Sequence, residues 1–168
     1  MAGIADDAPL ALAAAWRADG HDVALATVVA TWGSSPRPPG SQLVVRGDGV
    51  HRGSVSGGCI EGAVIEEALT VIADGKARLL RYGVTDEMAW EVGLSCGGTV
   101  EVHVTHPPEV LDQLLADRAA RRPVALLTNL ATAPEVEKIR RTGETGIAEA
   151  DWERQRALLD HVMPGHRD

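Results

Sequence analysis

Val23 to Trp32 sets Val23, Leu25, Val28 and Val29 among small residues, so neither side of the segment is polar. A short run that is apolar on both faces predicts a buried central strand. The chain then enters Gly33-Ser34-Ser35-Pro36-Arg37-Pro38-Pro39-Gly40, whose prolines and flanking glycines exclude regular pairing and predict a stiff loop. Gln42–Arg46 reads as a second strand, and Gly47-Asp48-Gly49 as the turn joining it in a hairpin to a strand over 50–55.

The remaining pattern alternates between helix and strand. Leu10–Ala18 is rich in Ala and Leu and predicts a short helix. In 60–73, Ile60, Val64, Ala68, Val71 and Ile72 recur at helical spacing, with Gly75 as the stop. Strands are expected over 76–82 and 99–105, where Val100, Val102 and Val104 share one face and Thr99, Glu101 and His103 the other. Residues 85–91 predict a short helix or turn. Val110, Leu111, Leu114 and Leu115 form a helical stripe after Pro107-Pro108. A short strand over 124–128 precedes a polar stretch, 131–150, that reads as loop or a polar helix. Trp152, Leu159 and Val162 outline an amphipathic helix. The fold class expected is mixed α/β (α+β): one domain over 1–168, a central mixed sheet flanked by helices, and no Rossmann domain.

At 168 residues the chain is long enough to bury a core. With four Trp, one Tyr and no Phe, that core must be filled by Val, Leu, Ile and Ala. The net charge of −8 argues against a nucleic-acid or anionic-membrane partner. No apolar run approaches bilayer-spanning length, and the first residues lack a signal-peptide pattern, so a cytoplasmic protein with reduced thiols is expected. The charge is uneven: between Val23 and Cys59 stand Arg37, Arg46 and Arg52 against the single acid Asp48. That basic, glycine-rich stretch is a candidate anion pocket.

The only two cysteines lie in similar settings, Ser56-Gly57-Gly58-Cys59-Ile60-Glu61 and Ser95-Cys96-Gly97-Gly98-Thr99-Val100-Glu101. Glycines let a backbone approach a ligand and turn its N–H groups toward an anion. A thiol beside such donors is drawn toward the thiolate, the nucleophilic and metal-binding form. Gly57-Gly58 also falls at the start of the helix expected from residue 60, where unpaired N–H groups favour anions. The alternative reading is a tight strand-to-helix turn with a small buried thiol. Arg37, in its proline-stiffened loop beside Ser34 and Ser35, is a candidate phosphate fork, or else a solvated arginine in a rigid turn. No nucleoside-triphosphate P-loop, no Gly-x-Gly-x-x-Gly after a strand, no C-x-x-C and no paired zinc-ligand spacing is present.

Three ordered blocks together resemble the N-terminal domain of the XdhC/CoxI family: Val28-Val29-Ala30-Thr31-Trp32-Gly33-Ser34-Ser35-Pro36-Arg37 with Pro39-Gly40; Gly53-Ser54-Val55-Ser56-Gly57-Gly58-Cys59-Ile60-Glu61; and Tyr82-Gly83-Val84-Thr85-Asp86-Glu87 with Trp90 and Gly93-Leu94-Ser95-Cys96-Gly97-Gly98. The matching core is about 23–105, and 106–168 diverges. The resemblance implies an accessory factor for molybdenum hydroxylases that binds molybdenum cofactor, shields it during sulfuration and delivers it to the apoenzyme. The residues it implies at the cofactor are Ser34, Ser35, Arg37, Gly40, Ser56, Gly57, Gly58, Cys59, Glu61, Ser95, Cys96, Gly97 and Gly98. Cys59 and Cys96 would lie on the metal side, and no catalytic residue is assigned. Implied partners are the hydroxylase apoenzyme, a cysteine desulfurase, and either a second copy of this chain in a homodimer or a separate Rossmann-like chain, because family members usually carry a second, Rossmann-like domain. Two other readings stay open: a sulfur-transfer enzyme acting through Cys59 with Glu61 or His51 as base, and a non-catalytic structural subunit.

Overall fold

A computed structural model describes residues 8–83, 98–122, 124–128, 130 and 138–141. The elements in chain order are α1 (Ala8–Ala18), β1 (Val23–Trp32), β2 (Gln42–Arg46), β3 (His51–Gly53), α2 (Glu61–Asp74), β4 (Arg78–Tyr82), β5 (Thr99–Thr105), α3 (Leu111–Ala119), β6 (Val124–Leu127) and β7 (Lys138–Arg141). The expected α+β class holds. The sheet, however, is antiparallel at every pairing, not mixed, in the order β3-β2-β1-β5-β4. The apolar run that reads as a buried strand is buried because helices cover both sheet faces, which does not require parallel neighbours.

Alternation along β1 divides the core in two. Ala24, Ala26 and Val28 join Leu43, Val45, Val100, Val102 and Val104 beneath α2, whose Val64, Ala68 and Val71 complete that cluster. Val23 and Leu25 point the other way, to Val44 and to Leu10, Ala13, Leu111 and Leu114 from α1 and α3. Each fully buried Val, Leu or Ile contributes about 1.5–3 kcal/mol relative to an exposed one. Leu111 and Leu114 of the apolar stripe are thus buried inside the chain's own core.

Other expectations shift in detail. The hairpin forms, with the Arg46 amide donating to the Val50 carbonyl at 2.8 Å, but β3 is only three residues long and Val55 belongs to the loop after it. His103, expected on a half-exposed face, is 8% exposed, and that desolvation lowers its pKa. Lys138–Arg141, expected as loop or helix, is a strand paired to β6. The readings for 85–91 and 152–162 lie outside the described residues. Among the described residues no helix is long and apolar enough to cross a membrane.

Candidate functional site

The register of β1 against β5 shifts between Val28 and Ala30. Such a bulge bends a strand and re-aims the residues beyond it. Past it, Trp32 ends β1 75% exposed, and the chain enters the proline loop. The loop returns to the strand it left: the Gly40 amide donates to the Val28 carbonyl at 2.8 Å, and the Val28 amide to the Ser41 carbonyl at 2.9 Å. Inside it, Ser35 Oγ donates to the Arg37 carbonyl at 2.9 Å.

This loop is the meeting point of the sequence blocks. A Cβ added to Gly57 would lie 3.5 Å from Pro36 Cβ, so the first cysteine loop rests on the proline loop. A Cβ added to Gly98 would overlap the Ser34 carbonyl oxygen and lie 2.9 Å from that of Trp32, so Gly98 touches the start of the same loop. Ser34, Ser35, Arg37, Gly40, Ser56, Gly57, Gly58, Cys59, Glu61 and Gly98 thus belong to one neighbourhood. Ser95, Cys96 and Gly97 lie outside the described residues.

Chemically, the first cysteine loop differs from the anion cradle expected of it. Its donors already surround a carboxylate of the chain itself. Glu61 Oε1 accepts from Ser54 Oγ at 2.7 Å, from the Ser56 amide at 2.9 Å and from the Val55 amide at 3.2 Å. Oε2 accepts from the Gly58 amide at 2.8 Å and from Ser56 Oγ. The two hydroxyls then accept in turn, Ser54 Oγ from the Gly57 amide at 2.9 Å and Ser56 Oγ from the Ile60 amide at 3.0 Å. Gly57 and Gly58 take φ of 76° and 114°, the left-handed backbone this wrapping demands and that side-chain-bearing residues rarely adopt. The amides of Val55, Ser56, Gly57, Gly58 and Ile60 are all engaged, so the loop does not lend them to a phosphate. Cys59 is left half-buried, packed against the α2 core and with its thiol free.

Burial of Glu61 raises its pKa, but the Ser56 and Ser54 hydroxyls and the Ser56 amide outweigh that and bring it from 4.5 to about 2. A carboxylate so strongly held is a poor proton acceptor, which counts against Glu61 as a base for Cys59. The stability it contributes is fully present above about pH 4.5 and is lost as pH falls toward 2. Acid titration followed by tryptophan fluorescence should therefore show part of the destabilisation in that window, and Glu61→Gln should flatten that part.

Ser54 stands in the second motif block without a site role assigned to it, although it binds Glu61 and also holds the loop to the sheet, its amide donating to the Gln42 carbonyl at 2.9 Å. It lies in the loop before α2, where no helical or strand period applies, so its contact with Glu61 emerges only in the folded turn. The basic stretch, in contrast, disperses. Arg46 pairs with Asp48 at 2.7 Å and stacks on Trp16, and Arg52 donates to the His51 carbonyl on the exposed edge strand β3. Arg37 lies within the proline loop itself. Its Nε is buried and makes no hydrogen bond within the described residues. Among those residues no group of three or more His, Cys, Asp or Glu could hold a metal ion.

Residues 16–83 match the family model described as XdhC and CoxI family, so the resemblance read from the sequence holds over that stretch. Among curated proteins, the chain is 39% identical over 110 residues to the molybdenum cofactor insertion chaperone PaoD of Escherichia coli (strain K12), covering 64% of this chain and 34% of that protein. It is 30% identical over 87 residues to a probable xanthine dehydrogenase subunit of Bacillus subtilis (strain 168), covering 51% of this chain and 26% of that protein. The alignments thus span about a third or less of these relatives' lengths. A crystal structure of a xanthine dehydrogenase from Bacillus halodurans shares the fold, with a TM-score of 0.65 at 22% identity over 88% of this chain and 48% of that one.

Proposed function

We propose that this chain is an accessory factor that holds molybdenum cofactor for sulfuration and insertion into a molybdenum hydroxylase. The observation that carries the reading is the approach of Gly57 to Pro36 and of Gly98 to Ser34, which brings the motif blocks together at the proline loop. The match of 16–83 and the cofactor-insertion role named for PaoD support it.

The residues present fit such a ligand in part. Arg37 supplies a cation whose buried Nε lacks a partner among the described residues, suited to a terminal phosphate. Cys59 supplies a soft ligand for the metal end. When bound, the cofactor brings a sulfur-rich metal centre, and this chain's part is to grip and cover it. The loop amides, already bound to Glu61, take no share in holding the phosphate. Cys96 would stand on the metal side with Cys59. The hydroxylase apoenzyme is the receiving partner and a cysteine desulfurase the source of sulfur. The remaining cover comes from a second copy of this chain or a separate Rossmann-like chain.

Anaerobic purification from cells that make molybdopterin, followed by molybdenum and pterin analysis, tests the reading. Cys59→Ala is expected to weaken retention at least about tenfold, roughly 1.4 kcal/mol. Arg37→Lys should weaken it in a salt-dependent way, because a point charge does not replace a guanidinium fork. Cofactor-free protein from such cells would overturn the assignment. Unchanged retention in both Cys59→Ala and Cys96→Ala would remove the thiols from it.

A further inference from the structure

Glu61 is the one residue of the cysteine loop whose side chain is surrounded by that loop. Five groups donate to its two oxygens: three backbone amides and two hydroxyls that each also receive an amide. A ligand reaching for this carboxylate would have to displace those donors and leave them unpaired, at about 1–3 kcal/mol each where they are buried. The carboxylate is also the first residue of α2, where its charge meets the positive end of the helix. Cys59 sits between the last wrapped amide of the loop, Gly58, and the amide of Ile60 that Ser56 holds. The backbone on both sides of the thiol is thus fixed by one network centred on Glu61.

We propose that Glu61 is a positioning residue and not a cofactor contact: its carboxylate holds the Ser54–Ile60 backbone in one shape and thereby sets where the Cys59 thiol stands. The role assigned to the thiol rests on the cofactor reading above, but the geometry does not. Glu61→Gln keeps the length of the side chain and turns an N–H₂ toward groups that are themselves donors, so the wrapping cannot close. Glu61→Asp keeps the charge but is one methylene short and restores only some of the bonds. Ser56→Ala removes the hydroxyl that links Glu61 to the Ile60 amide.

The test follows thiol reactivity in the apo-protein, in a Cys96→Ser background so that Cys59 alone reports. Iodoacetamide labelling at a fixed pH and at a temperature where far-UV circular dichroism shows the fold intact should speed up at least about fivefold in Glu61→Gln and Ser56→Ala, with Glu61→Asp between them and the parent. Amide exchange should rise at Gly57, Gly58 and Ile60 while β1 and β5 stay protected. A purely structural contribution would accelerate labelling only in step with global unfolding, and that result overturns the proposal. So does labelling within twofold of the parent in both variants. If Glu61→Gln does not fold, Ser56→Ala and Glu61→Asp decide the matter by the same measure. Cofactor retention is read separately: its loss in Cys59→Ala tests the cofactor reading, whereas the labelling series uses no cofactor and tests Glu61 alone.

Discussion

Gly98→Ala is expected to separate the second cysteine segment from the proline loop. The added Cβ meets backbone on two sides, the Ser34 and Trp32 carbonyl oxygens, and neither can rotate away as the tip of a side chain would. Either β5 begins later or the Ser34 loop lifts from it. Overpacking of this kind costs on the order of 3 kcal/mol. For a chain of this size that is a fall of roughly 10 °C in melting temperature. The loss of stability should be accompanied by loss of bound cofactor beyond what melting explains, because the substitution acts at the junction of the motif blocks. Differential scanning calorimetry beside pterin analysis checks both. A variant with parental melting and parental retention would show that the Gly98–Ser34 approach is dispensable.

Ile60→Ala should be nearly as damaging for a different reason. Ile60 is fully buried in the core beneath α2, its carbonyl accepts the Val64 amide at 3.0 Å, and its own amide is held by Ser56. Truncation removes the lost methylenes' transfer energy and leaves a cavity that the sheet beneath cannot collapse to fill, about 2–5 kcal/mol in all. Urea denaturation should show a lower midpoint with an unchanged slope. Because Ile60 adjoins the thiol-bearing residue, Cys59 labelling should also rise before the main transition. A stability within about 0.5 kcal/mol of the parent would mean that the site collapses around the smaller side chain.

Much of the fold can be read from local pattern, and the failures have physical causes. The boundaries of β1, β2, β5 and α2 follow from burial period and from the Gly and Pro that interrupt it. Strand direction does not, because a segment apolar on both faces records only that both faces are covered. Lys138–Arg141 is polar, and its strand state comes from pairing with β6, a long-range choice that its own composition does not encode. At the site, the motif blocks mark which segments meet, and the glycines at 57 and 98 mark where the chain comes close to the Pro36 ring and to the Ser34 backbone. What sequence could not give was the occupant of the loop. A Gly-rich turn before a helix reads equally well as a cradle for an outside anion or as a wrapping for the chain's own glutamate, and only the hydrogen bonds distinguish them.

The bulged β1 also bears on the order of assembly. The Glu61 network and the β2–β3 hairpin join residues close in sequence and close their loops at low entropic cost. The β1–β5 ladder joins segments far apart and is expected to form late on the folding path. Gly98 reaches Ser34 only when that ladder has zipped to its Trp32–Thr99 end. The cysteine turn is then expected to form early, while its junction with the proline loop and Gly98 is completed only with the closing of the sheet.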